Sequence, residues 1–152
     1  SAGAYIATML ALDPAYLAAE DAPADTVKAV LSMAGPMDFY PFTSARAQAA
    51  MGNAPQPELT QPVNFARADV APIWVAHGTA DMVVRPRNAH AIGRAMKSAG
   101  NTTTTLQLYE GASHNDLILG LTRPFRGRAS TLNDSIAFLT RYGLGPRGDI
   151  GE

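Results

Sequence analysis

The sequence predicts an α/β fold with about three parallel strands and flanking helices. Three observations predict it. Helical and strand-like segments alternate in the order helix, strand, helix, strand, helix, strand, helix, the pattern of parallel strands joined through helices. The run Ile73-Trp74-Val75-Ala76-His77 is nearly all apolar and lies between Pro72 and Gly78, as befits a strand covered on both faces. Apolar residues are 47% of the chain and charged residues 16%, enough apolar surface for a packed core and too little charge for a disordered tail protein.

Each element has a local reason. Residues 3–12 are helix formers, apolar nearly all round, and Asp13-Pro14 marks the exit. A further turn is expected over residues 16–20. Residues 27–33 (VKAVLSM) carry two valines and run into Ala34-Gly35-Pro36, a strand feeding a loop. A helix is expected over residues 40–51, stopped by Gly52-Asn53, and the proline-containing stretch 53–62 reads as loop. Residues 88–98 place Ala89, Ile92, Ala95 and Met96 on one stripe, with Gly100 as the stop. Residues 102–109 (TTTTLQLY) form the third strand. Residues 130–142 form the last helix, stopped by Gly143. Residues 1–144 thus read as one domain, and 145–152 as a disordered tail. Three strands are few for such a domain, and the chain starts at Ser1 without a methionine or a basic leader, so it reads as the second half of a longer fold.

Composition narrows the function. Twelve Lys+Arg against thirteen Asp+Glu give a net charge of −1, which offers no electrostatic footprint for nucleic acid or an anionic membrane. The chain has no cysteine, which excludes disulfides, thiolate nucleophiles and Cys-ligated zinc. No apolar run is long enough to span a membrane. Lack of cysteine and of a leader points to a cytoplasmic placement; nothing in the sequence specifies an oligomeric state.

Three residues carry the chemistry. Ser1-Ala2-Gly3, followed at once by an apolar helix, matches the second half of the nucleophile elbow G-x-S-x-G, a sharp turn that lifts a serine hydroxyl above a sheet. Asp81, in His77-Gly78-Thr79-Ala80-Asp81, follows a strand, where open α/β sheets place their functional groups. It is either an acid that orients a histidine or a turn-capping aspartate. His114, in Gly111-Ala112-Ser113-His114, also follows a strand and is either a general base or an ordinary loop histidine. Rivals are Asp38 as acid after the first strand, His77 as base, the helical His90, and Asp116, which lies too close in sequence to His114 for opposed geometry. Met37 and Phe39 after the first strand, with Met82 and Val83 after Asp81, stand where an acyl or alcohol pocket would form, or else pack under the segment 40–62. Arg85, Arg87, Arg123, Arg126 and Arg128 read as a solvated basic set.

The order Ser, Asp, His is that of the α/β-hydrolases. SAGAYIATMLALD at the elbow helix, LSMAGPMDF after the next strand, HGTADMVVRPRNA around the acid, YEGASHND around the histidine and PFRGRASTLNDSIAFL at the end resemble the C-terminal half of that superfamily. The likeness is to its esterase/lipase group, which includes BD-FAE-like carboxylesterases and kynurenine-formamidase-like enzymes. The resemblance implies Ser1 as nucleophile, Asp81 as triad acid, His114 as base and the Ala2 N–H as an oxyanion donor, with no metal or organic cofactor. It implies a small-molecule ester as substrate, with amide cleavage (arylformamidase or prolyl-oligopeptidase type) or an inactive fragment as alternatives. An N-terminal serine nucleophile activated by its own amine is a further alternative. The family's His-Gly-Gly oxyanion loop and its earlier strands have no counterpart in this sequence.

Overall fold

The computed structural model describes residues 1–146. Its centre is a three-stranded parallel sheet in the order β1 (Val30–Met33), β2 (Ile73–Gly78), β3 (Thr104–Tyr109). Val30 stands opposite Ile73, and Ile73 in turn opposite Thr104. The helices are α1 (Ala2–Leu12), α2 (Pro14–Ala19), α3 (Ala45–Met51), α4 (Arg87–Ser98), α5 (Asp116–Leu119) and α6 (Thr131–Arg141).

Period-2 alternation along β2 feeds two cores. Ile73 and Val75 pack with Leu12, Val30, Ile92 and Met96 on the face covered by α1 and α4. Trp74 and Ala76 pack with Tyr109, Leu117 and Phe138 on the face covered by α5 and α6. All six residues of β2 are buried, as expected of a central strand.

Several boundaries differ from the sequence expectation, for local reasons. The β1 ladder opens at Val30, three residues later than expected, where the Val30 N–H donates to the Pro72 carbonyl; Pro72 itself has no N–H with which to extend the ladder. Helix α3 starts at Ala45 because Pro41 interrupts the chain and Ser44 caps, its hydroxyl accepting the Ala47 N–H at 3.1 Å. β3 starts at Thr104 because the Asn101 side chain takes the N–H groups of Thr103 and Thr104. The stretch 53–62 is not wholly loop: 3-10 turns occupy Pro57–Thr60 and Pro62–Phe65. α5 and the 3-10 turn Arg123–Phe125 were not anticipated, since elements this short show no periodicity. Most of the expected tail, residues 147–152, lies outside the described residues. No helix among those described is long and apolar enough to cross a membrane.

One cation closes the end of α1 away from Ser1. The Arg67 guanidinium donates to the carbonyls of Ala11 and Leu12 at 2.9 and 3.0 Å, satisfying acceptors that a helix C-terminus leaves open. Arg67→Ala should lower the unfolding free energy by about 2 kcal/mol, measured by urea titration.

Candidate active site

The loops that follow β2 and β3 are laced together. Thr79 N–H donates to Tyr109 O, Ala80 N–H to Ala112 O, each at 3.0 Å, and Gly111 N–H to the Thr79 hydroxyl at 2.8 Å. Gly78 permits this approach: a Cβ there would lie 2.7 Å from the Ala112 carbonyl carbon, which no side chain tolerates. The lacing brings together two residues 33 apart in sequence, with His114 Nδ1 donating to Asp81 Oδ2 at 2.8 Å.

The carboxylate is itself fixed. Asp81 is 1% exposed, and its Oδ1 accepts the N–H groups of Val83 and Val84 at 2.8 and 2.9 Å. That turn spends one oxygen on the backbone and leaves the other for the histidine. A carboxylate offers no proton, so His114 carries its hydrogen on Nδ1, and Nε2 keeps a lone pair on a ring that is 18% exposed. This is the tautomer a general base needs.

His77 holds the same loop from beneath. Its Nε2 lies 2.8 Å from the Val84 carbonyl and 3.3 Å from Asp81 Oδ2. A carbonyl only accepts, so Nε2 carries the hydrogen and His77, its side chain 1% exposed, donates to the loop backbone. Burial pushes its pKa below the ordinary value, against the opposing pull of the Val84 carbonyl and Asp81. The unfolded chain therefore takes up a proton below about pH 6.5 that the folded chain resists. Stability should be fully present above that pH and fall at lower pH by up to about 1.4 kcal/mol per unit. Thermal melts from pH 7.5 to 5 check this, the decline being shallower in His77→Gln.

Ser1 stands at the first turn of α1, the N-cap position, and is exposed. Among the described residues its hydroxyl makes no hydrogen bond, either to His114 or as a helix cap. It lines a cavity of about 410 Å³ together with Ala2, Phe39, Val83 and Val84, so it shares a wall with the loop that holds Asp81. His114 is outside that wall. Gly35 sets α1 against the end of β1, since a Cβ there would lie 2.9 Å from the Ala4 Cβ.

The expected pocket residues separate. Phe39 and Val83 line the cavity, and Val83 is 64% exposed. Met82 is 69% exposed but outside the lining, with the Arg85 guanidinium 3.3 Å from its sulfur. Met37 is a correction: fully buried among Leu12, Val30 and Ile92, it belongs to the core and not to a rim, because the chain turns inward between Pro36 and Asp38.

Among the rivals, the Asp38 carboxylate has no histidine partner among the described residues; its N–H donates to Asn88. Asp116 accepts from Ser113 and Arg128, contacts that hold its carboxyl well below the usual range, at about 2. Arg128 is thereby paired; Arg85 and Arg87 are exposed, as expected of a solvated set, and also line the cavity.

Two buried amides escaped the sequence reading. Asn88 Oδ1 accepts the N–H groups of Met37 and Asp38, both at 2.9 Å, and Gln61 Oε1 those of Phe39 and Tyr40 at 2.6 and 3.0 Å. Together they fix the segment that presents Phe39. Their partners lie 21 to 51 residues away, so the only local signal was an amide beside a helix start or a proline turn. Asn88→Ala strands two N–H groups and should cost about 2 kcal/mol in urea unfolding.

No family model and no curated protein matches the sequence. Solved structures do. A thermophilic esterase from the planctomycete Thermogutta terrifontis, with propionate bound, is similar at 25% identity and a TM-score of 0.72, covering 97% of this chain and 56% of that one. The apo form of Thermogutta terrifontis esterase 2 is similar at 22% identity and TM-score 0.71, covering 97% and 55%. The same esterase phosphoramylated by tabun is similar at 22% and 0.67, again over 97% and 55%. The chain spans about half the length of these esterases. Its three parallel strands and flanking helices are a partial α/β-hydrolase fold.

Proposed function

We propose that the chain is the C-terminal half, over residues 1–144, of a BD-FAE-like serine carboxylesterase and carries that enzyme's triad: Ser1 as nucleophile, His114 as base, Asp81 as orienting acid. The observation that carries the reading is the 2.8 Å hydrogen bond from His114 Nδ1 to a buried Asp81 held by two backbone N–H groups. In the first half-reaction His114 Nε2 takes the Ser1 hydroxyl proton as the oxygen bonds to the ester carbonyl carbon. The Ala2 N–H, at the open start of α1, donates to the oxyanion. The C–O bond to the alcohol then breaks and His114 returns the proton to the departing oxygen. Water repeats the sequence on the acyl-enzyme, releasing the acid and restoring Ser1. Phe39 and Val83 flank the acyl chain. Support for short acyl groups comes from the Thermogutta esterase, solved with propionate and with butyrate bound.

The test is turnover of p-nitrophenyl acetate, propionate and butyrate beside formylkynurenine and a dipeptide amide, on the protein as encoded, including any residues that precede Ser1. Esters should be cleaved in preference to amides, and Ser1→Ala should abolish that turnover. Faster amide cleavage would contradict the ester assignment; full turnover by Ser1→Ala would contradict the nucleophile.

A further inference from the structure

The cavity beside Ser1 has an uneven charge. Arg46 reaches it from the first turn of α3, and Arg85 and Arg87 from the loop and first turn of α4, while no aspartate or glutamate among the described residues lines it. Among the described residues none of the three arginines is paired with a carboxylate: the ion pairs formed use Lys28, Arg67, Arg128 and the two histidines. Asp38, next in sequence to Phe39, stays off the wall. This is a local excess and not a property of the chain, whose net charge is −1. The rest of the wall is largely apolar, with Tyr5, Phe39, Met51 and Val83. Two elements some 40 residues apart thus bring unpaired guanidinium groups to one apolar cleft of about 410 Å³, a size that suits a small molecule. A guanidinium presents a planar fork of donors matched to a carboxylate, and a cleft lined by one sign of charge concentrates ligands of the other.

From this arrangement we infer that the site takes anionic esters: the acyl group carries a second, free carboxylate that Arg46 and Arg87 bind while Phe39 and Val83 cover the connecting methylenes. This rests on the esterase reading above and names its substrate class. The product is then a dicarboxylate, formed by the same two half-reactions with the distal carboxylate unchanged.

Two readouts separate this inference from the reading beneath it. The first is kcat/KM for p-nitrophenyl hemisuccinate relative to p-nitrophenyl butyrate, esters of equal acyl length that differ in charge. The wild-type protein should favour the hemisuccinate about tenfold, and the double variant Arg46→Gln/Arg87→Gln should lose that preference, as removal of charge-assisted bonds requires. Arg94→Gln, off the cavity wall, should retain it. The second is calorimetric titration with succinate, the dicarboxylate product class, which has no ester to turn over: binding should weaken about tenfold in the double variant and with added salt. A preference that is the same in wild type and double variant overturns the inference, as does succinate binding indifferent to both arginines. Arginine-dependent binding with no hydrolysis of either ester supports the anion site and overturns the esterase reading alone.

Discussion

Asp81→Asn is expected to lower kcat on p-nitrophenyl butyrate by about 10⁴-fold with the fold intact. The amide oxygen can still accept from Val83 and Val84, so the loop keeps its turn. The amide nitrogen then faces His114 and donates where the carboxylate accepted. To receive that hydrogen bond the imidazole must present a lone pair on Nδ1 and carry its proton on Nε2, the tautomer that cannot take a proton from Ser1. The loss should fall on kcat more than on KM, since the cavity wall is untouched. Steady-state kinetics beside circular dichroism check it. A fall of less than tenfold in a folded variant would remove Asp81 from the mechanism.

Gly78→Ala should be the most damaging substitution for the scaffold. The added methyl group meets the Ala112 carbonyl at the step where β2 and β3 hand over to their loops. Flanking hydrogen bonds from Thr79 to Tyr109 and from Ala80 to Ala112 prevent either strand from sliding away. A loss of about 3 kcal/mol is expected, the upper range for overpacking against backbone. Because the same contact fixes the distance between Asp81 and His114, activity should fall further than the folded fraction alone explains. Urea unfolding and activity per folded molecule separate the two effects.

What could be read from the sequence followed from how far each signal reaches. The strand at Ile73 was legible because full burial forces a continuous apolar run, and α4 because one buried stripe of Ala89, Ile92 and Met96 repeats at the helical period. Asp81 and His114 were legible as a pair because parallel strands deliver their C-terminal loops to the same edge. The strand and helix starts at Val30 and Ala45 were missed because they depend on Pro72 across the ladder and on the Ser44 cap. The burial of Met37 was missed because an apolar residue after a strand reads alike whether it turns inward or outward. Asn88 and Gln61 were invisible as organisers, since their partners are brought in only by the tertiary fold. The collection of Arg46 with Arg85 and Arg87 around one cavity was hidden for the same reason.

In the proposed mechanism Ser1 reacts because the His114–Asp81 pair activates it. Treating the encoded protein with a fluorophosphonate and mapping the adduct by peptide mass spectrometry tests this most directly. One phosphonyl group should appear on the peptide that contains Ser1, and that labelling should be lost in His114→Ala. Labelling of a different residue, or of Ser1 at an undiminished rate in His114→Ala, would contradict it.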